Sequence, residues 1–299
     1  MAVAQISPGK PITRRKFLKQ GLALAAGLAV YAGEIERHYI SVTHHEAAIQ
    51  GLPPAFEGAR IAQLSDIHLD EFSEPIFVEH AVKVVNDLNP DFVFLNGDYV
   101  TWGIAPKSFV VGAAWQCANI LRNLKCPQRY AVLGNHDAVV GPKVVATALR
   151  DNGIPVLVNG YTALERAGGR IWLAGLADAL EDRPQLDLAI PPKIRGIAAE
   201  PVILLCHEPD FADTVSMSVA GRAVALMLSG HSHGGQIRLP LIGAIALPPL
   251  GRKYVEGWFR FGKMQLYVNR GLGTVDLPFR FDCPPEISVF TLRRAEPAA

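Results

Sequence analysis

Short apolar runs that each end on a polar cluster constrain this chain more than any other feature. Arg60–Ser65 ends at Asp66, and Asp91–Asn96 ends at Gly97-Asp98. Tyr130–Leu133 ends at Gly134-Asn135-His136-Asp137, Pro201–Cys206 at His207, and Ala225–Leu228 at Gly230-His231-Ser232-His233. Short runs of this kind read as buried strands. Between them, Phe77, Ala81, Val84, Val85 and Leu88 share one helical face that stops at Asn89-Pro90. A second helix runs from Phe109 to Leu124 after Pro106, and Pro142 opens a third that closes at Asn152-Gly153. A hairpin is predicted over 161–174 around Gly168-Gly169, with strand-like pieces over 264–269 and 286–292. Strands alternating with helices imply a layered α/β domain with its functional groups at strand ends, continuous from about residue 39 to 294.

Hydrophobic residues make up 49% of the 299 and charged residues 19%, enough apolar material for a core and incompatible with a disordered or collagen-like chain. Basic and acidic residues nearly cancel, 29 against 28, so no overall field indicates a nucleic-acid partner. The balance hides an asymmetry: Lys10, Arg14, Arg15, Lys16 and Lys19 stand in residues 1–32 with no acid. They precede an uncharged stretch, Gln20–Gly33, rich in Leu and Ala. A basic segment followed by a short apolar one is the pattern of an export signal, and this apolar run is too short to span a bilayer before Glu34 and Glu36 interrupt it. An amphipathic helix of the domain itself is the alternative, disfavoured because the run has no polar face. Val30-Tyr31-Ala32 offers a poor site for cleavage after Ala32, so retention as an N-terminal anchor stands beside removal; in either case the cations keep the N-terminus inside and the domain outside. The four cysteines, Cys117, Cys126, Cys206 and Cys283, show no paired spacing and are expected as core residues rather than a zinc cassette or disulfide scaffold, with a Cys117–Cys126 pair in an oxidising compartment as the alternative.

The strand ends gather Asp66, His68, Asp98, Asn135, His136, His207, His231 and His233 at one rim. Carboxylate, amide and imidazole without thiolate suit Mn, Fe or Zn, and seven such ligands hold two ions if one carboxylate is shared. Two ions ~4 Å apart clamp the attacking and leaving oxygens of a phosphoryl displacement.

Here the chain resembles the calcineurin-like metallophosphoesterases. Their signature of Asp-x-His, Gly-Asp, Gly-Asn-His-Asp/Glu, a lone His and Gly-His-x-His is complete and in order, as Asp66-Ile67-His68, Gly97-Asp98, Gly134-Asn135-His136-Asp137, His207 and Gly230-His231-Ser232-His233. Tyr254, Asn269-Arg270-Gly271-Leu272-Gly273 and Pro284-Pro285-Glu286 are similar to a bacterial exported phosphodiesterase branch, and Arg14-Arg15 with Phe17-Leu18-Lys19 resembles a twin-arginine signal. The resemblance implies a four-layer α/β/β/α sandwich of two mixed sheets with a dinuclear metal site at the strand ends. It divides the chain into a leader or anchor over 1–38 and a phosphoesterase domain over 39–299. It assigns one metal to Asp66, His68 and His233, the other to Asn135, His207 and His231, and makes Asp98 the bridge. His136 contacts the phosphate and protonates the leaving oxygen, and Asp137 orients His136. The expected nucleophile is a hydroxide bridging two divalent ions, its pKa brought near ~7. No protein nucleophile is needed. The expected location is periplasmic, or the outer face of the cytoplasmic membrane.

Other readings stay open at this point. One is a lipid-linked phosphoester or pyrophosphate hydrolase like the UDP-2,3-diacylglucosamine hydrolases, whose substrate arises on the cytoplasmic side and so fits an exported protein badly. Another is a non-catalytic binding module that keeps the fold; such relatives lose ligands, and this chain has all seven. His44, His45 and His80 lie outside every motif and read as loop and surface residues. Asp178 lines the cleft or holds a turn, and Arg270 contacts phosphate or serves the scaffold. The uncharged Leu239–Leu250, between Arg238 and the pair Arg252-Lys253, is either a loop folded on the core or an exposed apolar lip that meets a membrane and presents phospholipid to the metals.

Overall fold

The computed structural model describes residues 13–70, 74–103, 105–195 and 200–295; Lys10 of the leader lies outside them. Each apolar run that ends on a polar cluster becomes a strand of one of two mixed sheets, four of them inner strands and the Tyr130–Leu133 run an edge strand of the first. The first sheet orders β1 (Ser41–Ile49), β13 (Glu286–Arg294), β2 (Arg60–Leu64), β3 (Phe92–Asn96) and β4 (Arg129–Val132) side by side. The second orders β11 (Gly257–Phe261), β12 (Met264–Val268), β8 (Val224–Ser229), β7 (Val202–Leu205), β6 (Gly169–Gly175) and β5 (Gly160–Arg166). β2, β3 and β4 are parallel, as are β12, β8, β7 and β6. All the motif loops therefore leave the same edges of their sheets.

Side-chain alternation sets the layers. Phe92, Phe94, Val132 and Phe290 point inward and meet Leu173, Ile203, Leu205, Leu226 and Leu228 of the other sheet. Val93 and Leu95 point outward under α2 (Pro75–Leu88), α3 (Lys107–Leu121) and α5 (Pro142–Asp151). On the far side Leu204, Met227 and Leu266 are covered by Ile190, Ile194 and Val215, around the short helices α6 (Leu186–Ala189) and α7 (Ala212–Met217). This is the expected four-layer sandwich. The four cysteines are free and buried.

Several pieces have no sequence expectation, among them β11, α6 and α7 and three that bear on the site or its edges. β1 pairs in parallel with the whole of β13, from Ser41 against Glu286 to Ile49 against Arg294. As an edge strand half open to solvent it carries His44, His45 and Glu46 and lacks an apolar run. α4 (Asn135–Val140) starts inside the Gly134-Asn135-His136-Asp137 motif. A two-residue pairing of β9 (Arg238–Leu239) with β10 (Gly243–Ala244) shapes the Leu239–Leu250 segment.

The leader forms α1 (Arg14–Val30), exposed along its length, and Tyr31–His38 continue as short helical turns that touch the domain. No helix among the described residues is long and apolar enough to cross a membrane.

Candidate metal centre

Ligand side chains arrive from the loops after β2, β3, β4, β7 and β8, and five hold the backbone in the left-handed region: Asp66 at φ 51°, His68 at 48°, Asp98 at 53°, His231 at 68° and His233 at 53°. Non-glycine residues avoid this region, and such strain concentrates at functional sites. Glycines let the loops close on one another. A Cβ on Gly134 would lie 2.3 Å from Asp98 Oδ1, and one on Gly230 would lie 1.8 Å from Ser65 Oγ.

Two trios of donor atoms, Asp66/His68/His233 and Asp98/His207/His231, each lie within 4.8 Å of one another. They share a boundary at Asp98, whose Oδ2 is 3.0 Å from His207 Nε2 and 3.5 Å from His68 Nε2. A third trio, His68/Asp98/His136, overlaps both. Asn135 Oδ1 is buried without a hydrogen-bond partner and its residue lines the same cavity. All seven expected ligands are thus brought to one place.

Outer partners fix how the rings present themselves. His207 Nδ1 donates to the Asn96 carbonyl at 2.6 Å, which turns the Nε2 lone pair toward Asp98. His231 Nε2 donates to the Pro249 carbonyl at 2.7 Å and leaves Nδ1 as its free donor atom. His68 Nδ1 sits 3.2 Å from the Thr101 hydroxyl, which itself donates to Asp70, so His68 Nε2 also points inward unprotonated. There it lies 3.1 Å from His233 Nε2, and His233 Nε2 is 3.4 Å from Asp66 Oδ1. Lone pairs of nitrogen and carboxylate oxygen converging at such distances repel unless a cation or proton stands between them. The donor set, all oxygen and imidazole nitrogen, fits the Mn, Fe or Zn expected.

Electrostatics agree with that need. Burial pushes Asp66 up to about 6; burial, with His207 adding to it, pulls His231 down to about 4. Burial also works against charge on His207, but Asp98 prevails and holds its proton affinity well above the ordinary imidazole range. Without metal, a proton occupies the space between Asp98 and His207.

The residues assigned to catalysis behave differently from one another. His136 is half-exposed, edge-on to His68 at 4.9 Å, and its Nδ1 accepts the Trp102 amide at 2.8 Å. A backbone N–H can only donate, so the ring carries its hydrogen on Nε2. Asp137 does not orient that ring as expected: Oδ2 accepts from Asp98 N at 2.8 Å and Gly134 N at 3.0 Å, and Oδ1 from Tyr99 N at 3.0 Å. Its carboxylate fastens the loops after β3 and β4 together, and the ring's partner is a main-chain group with no sequence signature. Arg270 is engaged by Glu286, Nε to Oε2 at 3.2 Å, and belongs to the scaffold. Asp178 caps the Leu180 and Glu181 amides and is a turn residue. His80 is exposed on α2 and His44 on β1, while His45 packs among Trp258, Tyr267 and Phe290.

A cavity of about 390 Å³ opens over the ligands; Asn135, His136 and His231 form its floor, and Ile245, Leu247 and Leu277 stand on its apolar side. Beyond them the Leu239–Leu250 segment projects, with Leu241 fully exposed, Ile242 73% and Ile245 59% exposed. It is a lip rather than a buried loop. Two of its flanking cations are paired, Arg238 with Glu256 and Lys253 with Asp213.

Residues 59–235 match the family of calcineurin-like phosphoesterases. The chain is 36% identical over 294 residues to the "Uncharacterized metallophosphoesterase YkuE" of Bacillus subtilis, spanning 95% of this chain and 99% of that protein. It is 29% identical over 291 residues to the "Phosphodiesterase YaeI" of Escherichia coli, 94% of this chain and 99% of that protein. A "Transmembrane protein with metallophosphoesterase domain" of Danio rerio is 30% identical over 284 residues, 92% of this chain and 62% of that protein.

Proposed function

The chain belongs to the calcineurin-like phosphoesterase family and is a metal-dependent phosphoester hydrolase; from that premise we propose that it is a phosphodiesterase acting outside the cytoplasm. Asp66, His68 and His233 hold one divalent ion, Asn135, His207 and His231 the other, and Asp98 is shared. The observation that carries this is the single oxygen Asp98 Oδ2 lying between the imidazoles of the two trios. Two divalent ions in such a site acidify water and offset the charge that grows on phosphorus-bound oxygens. His136 faces the cavity with its Nε2–H and donates to a phosphate oxygen as that charge develops. The buried Asp66 and Asp98, fixed by loop packing, need little reorganisation during the reaction.

The test is hydrolysis of bis(p-nitrophenyl) phosphate by the chelated chain, without metal and with added Mn²⁺. Activity restored by Mn²⁺, and abolished together with both metal equivalents by Asp98→Asn, supports the reading. Two bound ions with no cleavage of any diester or monoester tested would leave a binding module.

The leader supports export, with residues 1–38 as a twin-arginine-type signal or anchor and 39–299 as the phosphoesterase domain. A second reading, that the substrate is lipid-linked, is favoured by the exposed Leu241, Ile242 and Ile245 beside the cavity's apolar side. With Arg238 and Lys253 engaged by acids, membrane contact rests on these apolar side chains together with the exposed Arg252. In a chain lacking residues 1–30, whose exposed basic and apolar α1 would bind such vesicles by itself, Ile242→Ser with Ile245→Ser should abolish binding to phosphatidylglycerol vesicles and spare soluble diester hydrolysis; unchanged vesicle binding ends this reading.

A further inference from the structure

The last residues before the domain are built into it. Ala32 and Gly33 are buried, and Glu36 is 5% exposed. The Ala32 carbonyl accepts the Arg280 amide at 3.0 Å, Glu36 Oε1 accepts the Cys283 amide at 2.7 Å, and Tyr31 meets Phe281 edge-on. Gly33 leaves so little room that a Cβ there would stand 3.0 Å from the Phe279 ring. Downstream, Arg37 pairs with Glu74 at 3.8 Å and His38 stacks edge-on against Phe77.

The segment they grip, 270–283, lies directly behind the ligands. Arg280 is fully buried, and its guanidinium donates to the carbonyls of Gly273, Cys283 and Arg270, tying the strap into one unit. Gly273 N donates to the Asp66 carbonyl at 2.6 Å, Leu272 N to Ser65 at 3.0 Å, and Cys283 Sγ to the His233 carbonyl at 3.1 Å. One continuous bonded path therefore runs from Ala32 and Glu36 through the Arg280 strap to Asp66 and His233, two of the five ligands held at left-handed φ.

We propose that residues 31–38 are a permanent brace of the folded enzyme, positioning Asp66 and His233 through the Arg280 strap, and that α1 consequently stays attached. Cleavage after Ala32 would require a peptidase to draw out a buried residue whose carbonyl is in use. A domain folded before export already has this segment docked.

The proposal rests on the metal-centre reading for its Mn²⁺ readout, on the export reading for the mass of the exported protein, and on the fold alone for the trypsin and exchange results. In the full chain, Glu36→Ala should weaken Mn²⁺ binding in calorimetric titration by roughly tenfold, at the low end of the ~10–100-fold typical of groups that orient ligands. Glu36→Gln, which keeps an acceptor for the Cys283 amide, should restore it to near the parent value. Trypsin should cut the parent at the exposed Lys19 at least tenfold faster than at Arg37, and Glu36→Ala should narrow that gap. The mass of the exported protein should include α1. If Glu36→Ala does not fold, exchange of the Arg280 and Cys283 amides in the parent decides: exchange as slow as in β13 supports the brace, and exchange as fast as in α1 overturns it. Unchanged Mn²⁺ affinity in folded Glu36→Ala, or an exported protein beginning after Ala32, also overturns it. A parent chain that binds no Mn²⁺ fails the metal-centre reading instead, with the trypsin and exchange results still deciding the brace.

Discussion

Replacing Asp137 by Asn separates two roles that the motif alone confuses. The carboxylate receives three main-chain N–H groups, from Asp98, Tyr99 and Gly134, in a fully buried position. Asn offers one oxygen. Placed at the Oδ2 position it keeps the Asp98 and Gly134 amides, and its NH₂ then faces the Tyr99 N–H, donor against donor. One buried amide loses its partner at about 1–3 kcal/mol, and the two retained bonds lose their charge assistance, so the total reaches about 3–5 kcal/mol. Against a stability of ~5–15 kcal/mol this is a large fraction, and it lowers Tm by roughly 6–15 °C. The measurement is urea unfolding and calorimetry of parent and variant, both in chelator, so that lost metal does not contribute. An Asp137→Asn chain within about 1 kcal/mol of the parent would refute the fastening role. A drop in kcat with Tm unmoved would restore the expectation that this carboxylate orients His136.

His136→Ala should slow aryl and alkyl phosphodiesters by a similar factor, roughly 10–10²-fold, because the Trp102 amide on Nδ1 makes the ring a neutral donor; a loss confined to poor leaving groups would show that the ring delivers a proton. Mn²⁺ affinity should rise with pH through the range where the metal-free site holds its protons, up to tenfold per unit for each proton displaced. For stability the groups oppose one another: the raised folded value of His207 stabilises the metal-free chain below the unfolded imidazole's ~6.5 and that contribution disappears as pH rises through the folded value, whereas the lowered folded values of His68, His231 and His233 destabilise it below ~6.5. Titrations at pH 6, 7 and 8 giving one constant affinity would contradict this. Arg14→Lys with Arg15→Lys preserves charge and should leave the protein in the cytoplasm, as fractionation would report; continued export would assign the leader to another route.

What was legible in the sequence were side chains doing chemistry at strand ends, because parallel strands carry their C-terminal loops to one edge and polar clusters stand out against apolar runs. Asp66, His68, Asp98, Asn135, His207, His231 and His233 converge for that reason. What stayed hidden was done by main-chain atoms or by contacts distant in sequence. The Trp102 amide on His136, the carbonyls of Asn96 and Pro249 that turn His207 and His231, and the amides gathered by Asp137 depend on backbone groups that every residue owns, so no residue type announces them. Asp137 stands next to His136 in the motif, yet α4 begins there and aims its carboxylate back at the loops after β3 and β4. The brace is hidden for the second reason: Glu36 and Cys283 meet only because β1 pairs with β13, bringing the two ends of the domain side by side. A charged residue just after an apolar leader looks like the place where the leader ends. In the fold its carboxylate is buried and carries part of the support behind Asp66 and His233, so the working unit begins before the domain's first strand.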